Sequence, residues 1–373
     1  MVAALRRTGK SSRADLARIT GLAPSTVTAI VAELLADGLV TETDQFDSGS
    51  TGAGRPATGV ALHRSAGVVV GVDLGKRHLQ VAVCDLAHHV LAERQVELPR
   101  NRSADADVAA AADMVDAVLS TARLSREKVV GVGVGIPGPL RADTGRLGDT
   151  ASLPGWVGRD APSTFERALG LPVHVDNDAN LGALAEWTWG AGRGCPDLVY
   201  LKVSTGIGSG MLFSGRPFRG VGGTAGEFGH LAIDPKGAEC RCGNRGCLEN
   251  LAGAQAMAKS LQPVFGRLLA TGEIIAHARD GDVDCRRVIA DAGRTIGTAT
   301  GVLCNLVNPR RIIVGGEVGS AGDLLLDSMR ETLEQTAIRS AFSDVEVMAA
   351  ELGPRAEVLG ALVLALRDEA TLG

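Results

Sequence analysis

One histidine and three cysteines crowd into a short stretch of this chain, Gly226-Glu227-Phe-Gly-His230 followed by Cys240-Arg-Cys242-Gly-Asn-Arg-Gly-Cys247-Leu-Glu249. An imidazole and three thiolates are the donor set of a closed tetrahedral zinc site, and Gly243 and Gly246 permit the tight knuckle that brings Cys242 and Cys247 to one ion. Four protein ligands leave no position for water. The expected zinc is therefore structural, and it would fix Glu227 and Glu249, which flank the ligands, as acceptors for hydroxyl groups. A second polar cluster, Asp176-Asn177-Asp178-Ala-Asn180, follows a short apolar strand and enters an Ala-rich helix that runs through Trp187. A carboxylate at the carboxyl end of a strand in an α/β fold is placed to act as a base on a ligand; a helix cap by Asp178 or Asn180 is the plainer role. Two glycine turns complete the set: Asp73-Leu-Gly75, and Thr205-Gly206-Ile-Gly208-Ser-Gly210. Turns of this kind can aim backbone N–H groups at phosphate, although glycine hairpins also occur without any ligand.

The elements that must position these residues fall into a pattern. Gly67–Gly75 and Leu198–Thr205 are apolar strands, each ending in a glycine turn and followed by a second strand. Two such hairpins open two α/β halves, an internal pseudo-repeat. Ahead of them lies a different texture. Ser12 can cap a helix with Asp15 in the capping-box position, Leu16 and Ile19 mark one face, Gly21 permits a sharp turn, and Leu22 is placed to plug the corner. Pro24 suits the first turn of a second helix, which carries Val27, Ile30, Val31, Leu34 and Leu35 on one side. Its other side begins Ser25, Thr26, Thr28, short polar side chains suited to close approach to phosphates and base edges. A strand at Gly38–Glu42, a polar glycine-rich stretch from Asp44 to Thr58, and a strand at Gly59–Leu62 then read as a wing. Within that wing Arg55, flanked by glycine and proline, is a candidate for a minor groove.

Charge supports a DNA-reading end on an otherwise acidic protein. The formal net charge of the 373 residues is −5, yet residues 1–32 hold five basic residues, including Arg13 and Arg18, against the single acid Asp15, a local +4. Hydrophobic residues make up 45% and aromatics 3%, which implies ample aliphatic cores and argues against disorder. No apolar run approaches the roughly 20 residues of a membrane helix, and the start lacks a signal-peptide core, so no membrane and a cytoplasmic location are expected. Seven cysteines, three of them in the knuckle, point to metal binding in a reducing compartment and not to disulfides.

Taken together, Asp73-Leu-Gly75, Asn177-Asp178, the Thr205 turn, Glu227-Phe-Gly-His230, the knuckle with Glu249, and Asn308-Pro-Arg-Arg-Ile-Ile-Val-Gly315-Gly316 resemble the ROK family of sugar kinases and sugar-responsive repressors. The likeness runs from about Gly67 to the end, and residues 1–62 resemble the DNA-binding domain of the repressor branch. It implies a winged helix-turn-helix domain at 1–62, followed at 67–373 by a two-lobed, actin-like (ribonuclease-H-like) α/β sensor with sugar in its cleft. By the same resemblance, Asn177, Asp178, Glu227, His230 and Glu249 match sugar-binding positions, Asp178 being the base position of the kinases. His230, Cys240, Cys242 and Cys247 match zinc ligands. Asp73, Gly75, Thr205 and Gly206 match the phosphate side of a nucleotide site, and Gly315 and Gly316 its adenosine side.

Two departures bear on activity. Family kinases look like Asp-x-Gly-Gly-Thr at the first phosphate turn, whereas Lys76 and Arg77 follow Gly75 here; and Ser152 stands before Leu153-Pro-Gly-Trp156 where kinases often have Asn. A side chain in place of the second glycine obstructs the approach of ATP phosphates. The resemblance therefore implies a repressor of carbohydrate genes with a vestigial ATP site, a double-stranded DNA operator, a sugar or sugar-phosphate effector, and a dimer or tetramer on a pseudo-palindromic site. The alternative is an ATP- and Mg²⁺-dependent sugar kinase that retains a DNA-binding domain; a scaffold that responds to nutrient state is a third. Regulators of this kind carry more helix before the turn than Met1–Lys10 provides, which leaves a short first helix or a start further upstream.

Overall fold

A computed structural model describes the chain except residues 2, 3, 6, 7, 9, 37, 44–57, 64–66, 100, 149–152 and 367–373. Arg55 and Ser152 lie outside the described residues, so the expectations placed on them are not addressed by the fold.

In the amino-terminal module Ala4, Leu5 and Thr8 are helical, and β1 (Lys10–Ser12), a strand the sequence pattern does not announce, follows, then α1 (Arg13–Thr20), α2 (Pro24–Ala36), β2 (Val40–Thr43) and β3 (Gly59–Leu62). Strand β3 lies between β1 and β2, antiparallel to both. Ser12 caps α1 as expected, its Oγ accepting from Asp15 N–H at 3.1 Å. The reciprocal half differs from a capping box: the Asp15 carboxylate is too short to reach back to the cap's backbone and instead accepts from Ser12 Oγ at 2.8 Å. Gly21 closes the helix at φ +70°, a conformation that costs glycine little, and α2 leaves at a bend of 114°. That angle lies within the usual helix-turn-helix range. Leu16, Val27 and Val31 are buried, whereas Leu22 is exposed and does not plug the corner.

The larger part repeats one topology. In the first lobe β4 (Val68–Leu74), β5 (His78–Asp85), β6 (Val90–Glu97), β7 (Val129–Ile136) and β8 (Val173–Asn177) form a sheet in the order β6-β5-β4-β7-β8. Strand β4 is antiparallel to β5 and parallel to β7. In the second lobe β9 (Leu198–Val203), β10 (Ile207–Phe213), β11 (Arg216–Pro217), β12 (Arg311–Gly315) and β13 (Glu346–Ala349) take the equivalent order β11-β10-β9-β12-β13, again with an antiparallel hairpin joined to parallel strands. The pseudo-repeat expected from the two glycine hairpins is thus present, with a third strand of only two residues in the second copy.

Two helices lie between the sheets. The helix α5 (Asp178–Trp189; α3 is Ala104–Thr121 and α4 Ala161–Leu169) packs on β9 and β10, and the last described helix, Ala356–Leu366, packs on β4 and β7. The two helices also pack on each other. Their approach depends on missing side chains: a Cβ on Gly360 would sit 1.9 Å from Leu181 O, and one on Gly133 1.9 Å from Ala361 O. Both obstacles are backbone and cannot rotate away. Gly360→Ala is therefore expected to cost about 1–3 kcal/mol of stability, read as a lowered urea midpoint, while an alanine at Gly272, with open space around it, should be far milder. Equal midpoints for the two variants would contradict this packing.

Among the described residues, the module's apolar core is continuous with that of the first lobe. Leu16, Val27, Val31, Val40, Val60 and Leu62 belong to a cluster that continues into Val69, Cys84, Leu86 and Leu366 of the first lobe and the carboxyl-terminal helix. A unit of about 60 residues buries only a marginal share of its surface alone, and here it shares apolar surface with its neighbour.

Candidate functional site

The four metal-type side chains converge. The donor atoms of His230, Cys240, Cys242 and Cys247 all lie within 4.8 Å of one another. Nδ1 of His230 is 3.6 Å from Cys240 Sγ, and Cys242 Sγ is 3.6 Å from Cys247 Sγ. A zinc ion bound at about 2.3 Å holds its sulfurs about 3.8 Å apart, so the donor set fits in both chemistry and spacing. The knuckle glycines act as expected: Gly243 has φ +89°, and Gly246, at φ +59°, could carry no Cβ because Asp234 O lies 1.7 Å from where it would be. Burial and then the neighbouring sulfurs push the Cys247 thiol up to about 12.

Two acids lie against the cluster. With Nδ1 turned to the cysteines, His230 Nε2 faces Glu227 Oε2 at 3.8 Å, while Glu249 Oε1 lies 3.5 Å from Cys240 Sγ. Glu249 also meets Arg241 at 3.4 Å. Burial first, then the charge of Asp178, raises Glu227 to about 7. The second glycine turn lies against the same acids: a Cβ on Gly206 would be 2.8 Å from Glu249 Oε2, and Thr205 beside it is exposed.

At the end of β8 the side chains divide their work differently from the expectation. The cap of α5 is Asn177, whose Oδ1 accepts from Ala179 N–H at 2.8 Å and whose Nδ2 donates to Gly138 O at 2.9 Å. Neither Asp178 nor Asn180 takes that place, because the chain enters the helix one residue earlier; Asn180 instead donates to Asp176 at 2.8 Å. Asp178 Oδ1 shares the Ala179 N–H at 2.9 Å, and its Oδ2 turns to a residue that sequence reasoning missed. Lys202 Nζ lies 2.9 Å from Asp178 Oδ2 and 3.0 Å from Glu357 Oε1. A signal existed: Lys202 interrupts the apolar run of β9, and Glu357 opens an otherwise apolar helix.

The first glycine turn is closed. His78 Nε2 bonds Asp73 Oδ2 at 2.7 Å, and the ring lies over Gly75 so tightly that a Cβ there would be 2.1 Å from His78 Cε1. The Asp73 hydrogen bond raises the His78 pKa. From the other side Arg102 donates to Gly75 O at 2.5 Å and Lys76 O at 2.8 Å. Arg102 is held by Asp107, which also accepts from Trp156 Nε1 at 2.8 Å, so the Leu153–Trp156 loop and the turn are tied together. Lys76 is half-buried, with burial and then the Arg241 charge lowering its pKa. These residues do not fit a nucleotide phosphate at Gly75. Gly315 and Gly316 have a packing duty instead: Cβ atoms there would lie 2.4 Å from Tyr200 Oη and 2.5 Å from Val203 O.

On the amino-terminal module Ser25, Thr26 and Thr28 are exposed along the first turns of α2. Arg18, its side chain 78% exposed, pairs with Asp15 at 2.9 Å, and Arg13 pairs with Glu42 of β2 at 2.7 Å.

Residues 69–368 match the ROK family, and residues 2–41 match a family described as winged helix-turn-helix DNA-binding. The chain belongs to the ROK family. Within it the chain falls in the transcriptional-regulator branch. It is 28% identical to the xylose repressor of Caldicellulosiruptor bescii, covering 96% of this chain and 92% of that one. It is 30% identical to the DNA-binding transcriptional dual regulator NagC of Escherichia coli K12, covering 96% and 89%. A solved ROK family transcriptional regulator, a homologue of the E. coli MLC protein, superposes with a TM-score of 0.81 at 28% identity over 95% of this chain and 91% of that chain. The architecture is accordingly a winged helix-turn-helix joined to the actin-like ROK sugar-kinase fold.

Proposed function

We propose that this ROK protein is a cytoplasmic, sugar-responsive transcriptional repressor whose zinc-ordered cleft binds the effector and whose α2 reads operator DNA. One pairing carries the reading: an outward polar helix face is joined to a cleft that keeps its hydroxyl-binding acids while its first phosphate turn is filled by His78. Asn177, Asp178, Glu227, His230 and Glu249 form the sugar subsite, with Asn177 offering its remaining N–H and lone pair. Zinc at His230, Cys240, Cys242 and Cys247 orders that subsite and supplies no reactive position. The retained acids would also serve a kinase, but Asp178 is engaged by Lys202 and the turn at Gly75 is shut. The regulator reading is therefore preferred, and the names of the relatives support it. Effector control requires that the sugar bind the DNA-competent and DNA-incompetent states with different affinity.

Two copies are expected on a pseudo-palindromic site, since a symmetric dimer reads two half-sites. A thermal-shift screen of pentoses, hexoses and their phosphates identifies the effector. Fluorescence anisotropy on DNA from upstream of the chain's own gene, with and without that sugar, then tests the reading; no specific binding, or binding indifferent to every stabilising sugar, would remove it. In the same assay Arg18→Ala should weaken binding to all sequences and lower the salt slope by about 1, through loss of one phosphate contact. Thr28→Ala should change preference among sites by about 1–3 kcal/mol per lost base contact. Both arginines are paired, but Arg13, its side chain 31% exposed against 78% for Arg18, should matter less than Arg18.

A further inference from the structure

Three carboxylates meet at the floor of the cleft: Asp73 at the end of β4, Asp178 at the start of α5, and Glu357 in the first turn of the Ala356–Leu366 helix. Asp73 and Glu357 are almost fully buried. Asp73 Oδ2 is bonded to His78 at 2.7 Å, but among the described residues Asp73 Oδ1 has no hydrogen-bond partner and Glu357 Oε1 has only its 3.0 Å ion pair, without hydrogen-bond geometry. Buried acids in this number need a nearby cation if they are to stay ionised. In phosphoryl-transfer sites that cation is a divalent metal bridging carboxylates and phosphates. Here the ammonium of Lys202, its side chain 17% exposed, lies 2.9 Å from Asp178 and 3.0 Å from Glu357. Burial by itself would lower the Lys202 pKa, but Asp178, Glu357 and Asp73 together raise it well above the ordinary value.

We propose that Lys202 is a resident counter-ion that takes the place of a divalent cation in the Asp73–Asp178–Glu357 cluster and so makes the cleft select a bare sugar against a metal-bound nucleotide. The difference from a metal is chemical. An ammonium donates three hydrogen bonds and offers no coordination position, so it cannot recruit a phosphate oxygen while carboxylates hold it. It sits on β9 two residues before the Ser204–Gly206 turn, where an incoming metal-phosphate would meet its like charge. Asp178, held as an ion pair, remains an acceptor for a sugar hydroxyl. The His78 ring over Gly75 shuts the neighbouring turn independently. The inference rests on the receptor reading of the cleft, but its test involves no DNA.

The test uses the full-length, zinc-loaded protein and Mn²⁺ as the probe, with bound ion read from loss of the free Mn²⁺ paramagnetic-resonance signal. Wild type is expected to take up no Mn²⁺ in the sub-millimolar range, with or without ATP. Lys202→Met should take up one ion per chain at least tenfold more tightly than wild type, and adding Asp178→Asn should abolish the gain. A folded Lys202→Met, shown by zinc content and a cooperative melt, that binds no Mn²⁺ overturns the proposal. So does uptake by wild type that Asp178→Asn removes. Lys202→Gln serves if the methionine variant does not fold; if neither folds, the wild-type titration alone decides between the two outcomes. Loss of DNA binding in a chain that behaves as expected toward Mn²⁺ would count against the repressor reading and not against this one.

Discussion

Replacing Cys242 by serine is expected to leave the purified chain without stoichiometric zinc and to weaken its affinity for the effector sugar by about 10- to 100-fold. The size of the effect follows from where the ligands lie. His230 turns one ring nitrogen to the cysteines and the other to Glu227, and Glu249 sits beside Cys240. A zinc ion held there would orient the imidazole and, through the knuckle backbone, both acids. Without it the thiols repel as anions or stay protonated, and the Gly243 and Gly246 turns lose the crosslink that closes them. Metal analysis gives the first readout and calorimetric sugar titration the second. A chelator should lower the melting temperature of wild type and leave the variant's unchanged, because bound metal contributes directly to folding free energy. Wild-type zinc content in Cys242→Ser, or unaltered sugar affinity in a zinc-free chain, would refute the role assigned to the knuckle.

Removing residues 1–62 should abolish operator binding while sugar binding survives. The cleft residues, from Asp73 to Glu357, all lie beyond the deleted segment, and both five-stranded sheets remain whole. The cut is not neutral, however. It uncovers Val69, Cys84, Leu86 and Leu366, which share an apolar cluster with Leu16, Val27 and Val31. The truncated protein is accordingly expected to melt at a lower temperature than the full chain and to be more prone to associate. Gel shift with the operator and calorimetry with the sugar separate the two outcomes. A truncated sensor that still shifts specific DNA would show that the module assigned to α2 and its wing is not the reader.

The shared cluster also sets packed side chains between the module and the first lobe. Strand β4, which carries Asp73 at its carboxyl end, contributes Val69 to the cluster, so a rearrangement of the cleft can be transmitted through packed side chains and need not travel through a linker.

The sequence by itself determined whatever depends on local spacing. The knuckle is legible because its ligands lie close in the chain and its glycines must adopt positive φ; the turn at Gly21 and the cap at Ser12 are legible for the same reason. Paired glycine hairpins announced the repeat because strand alternation and tight turns are short-range properties. Tertiary structure alone decided what depends on residues far apart in the chain. Lys202 and Glu357 read singly as isolated charges in apolar runs; only the crossing of β9 with the last helix brings them within 3.0 Å. His78 reads as a strand residue until the hairpin folds it over Gly75, and Arg102 as a loop cation until it reaches back to the carbonyls of that turn. The same holds for the cap of α5, where residue order offered Asp178 or Asn180 and the fold placed Asn177. Lys202 engages Asp178, while Gly138 O and Ala179 N–H engage Asn177. Short-range geometry is written in residue order, whereas the electrostatics of a buried cleft exist only once the two lobes have come together.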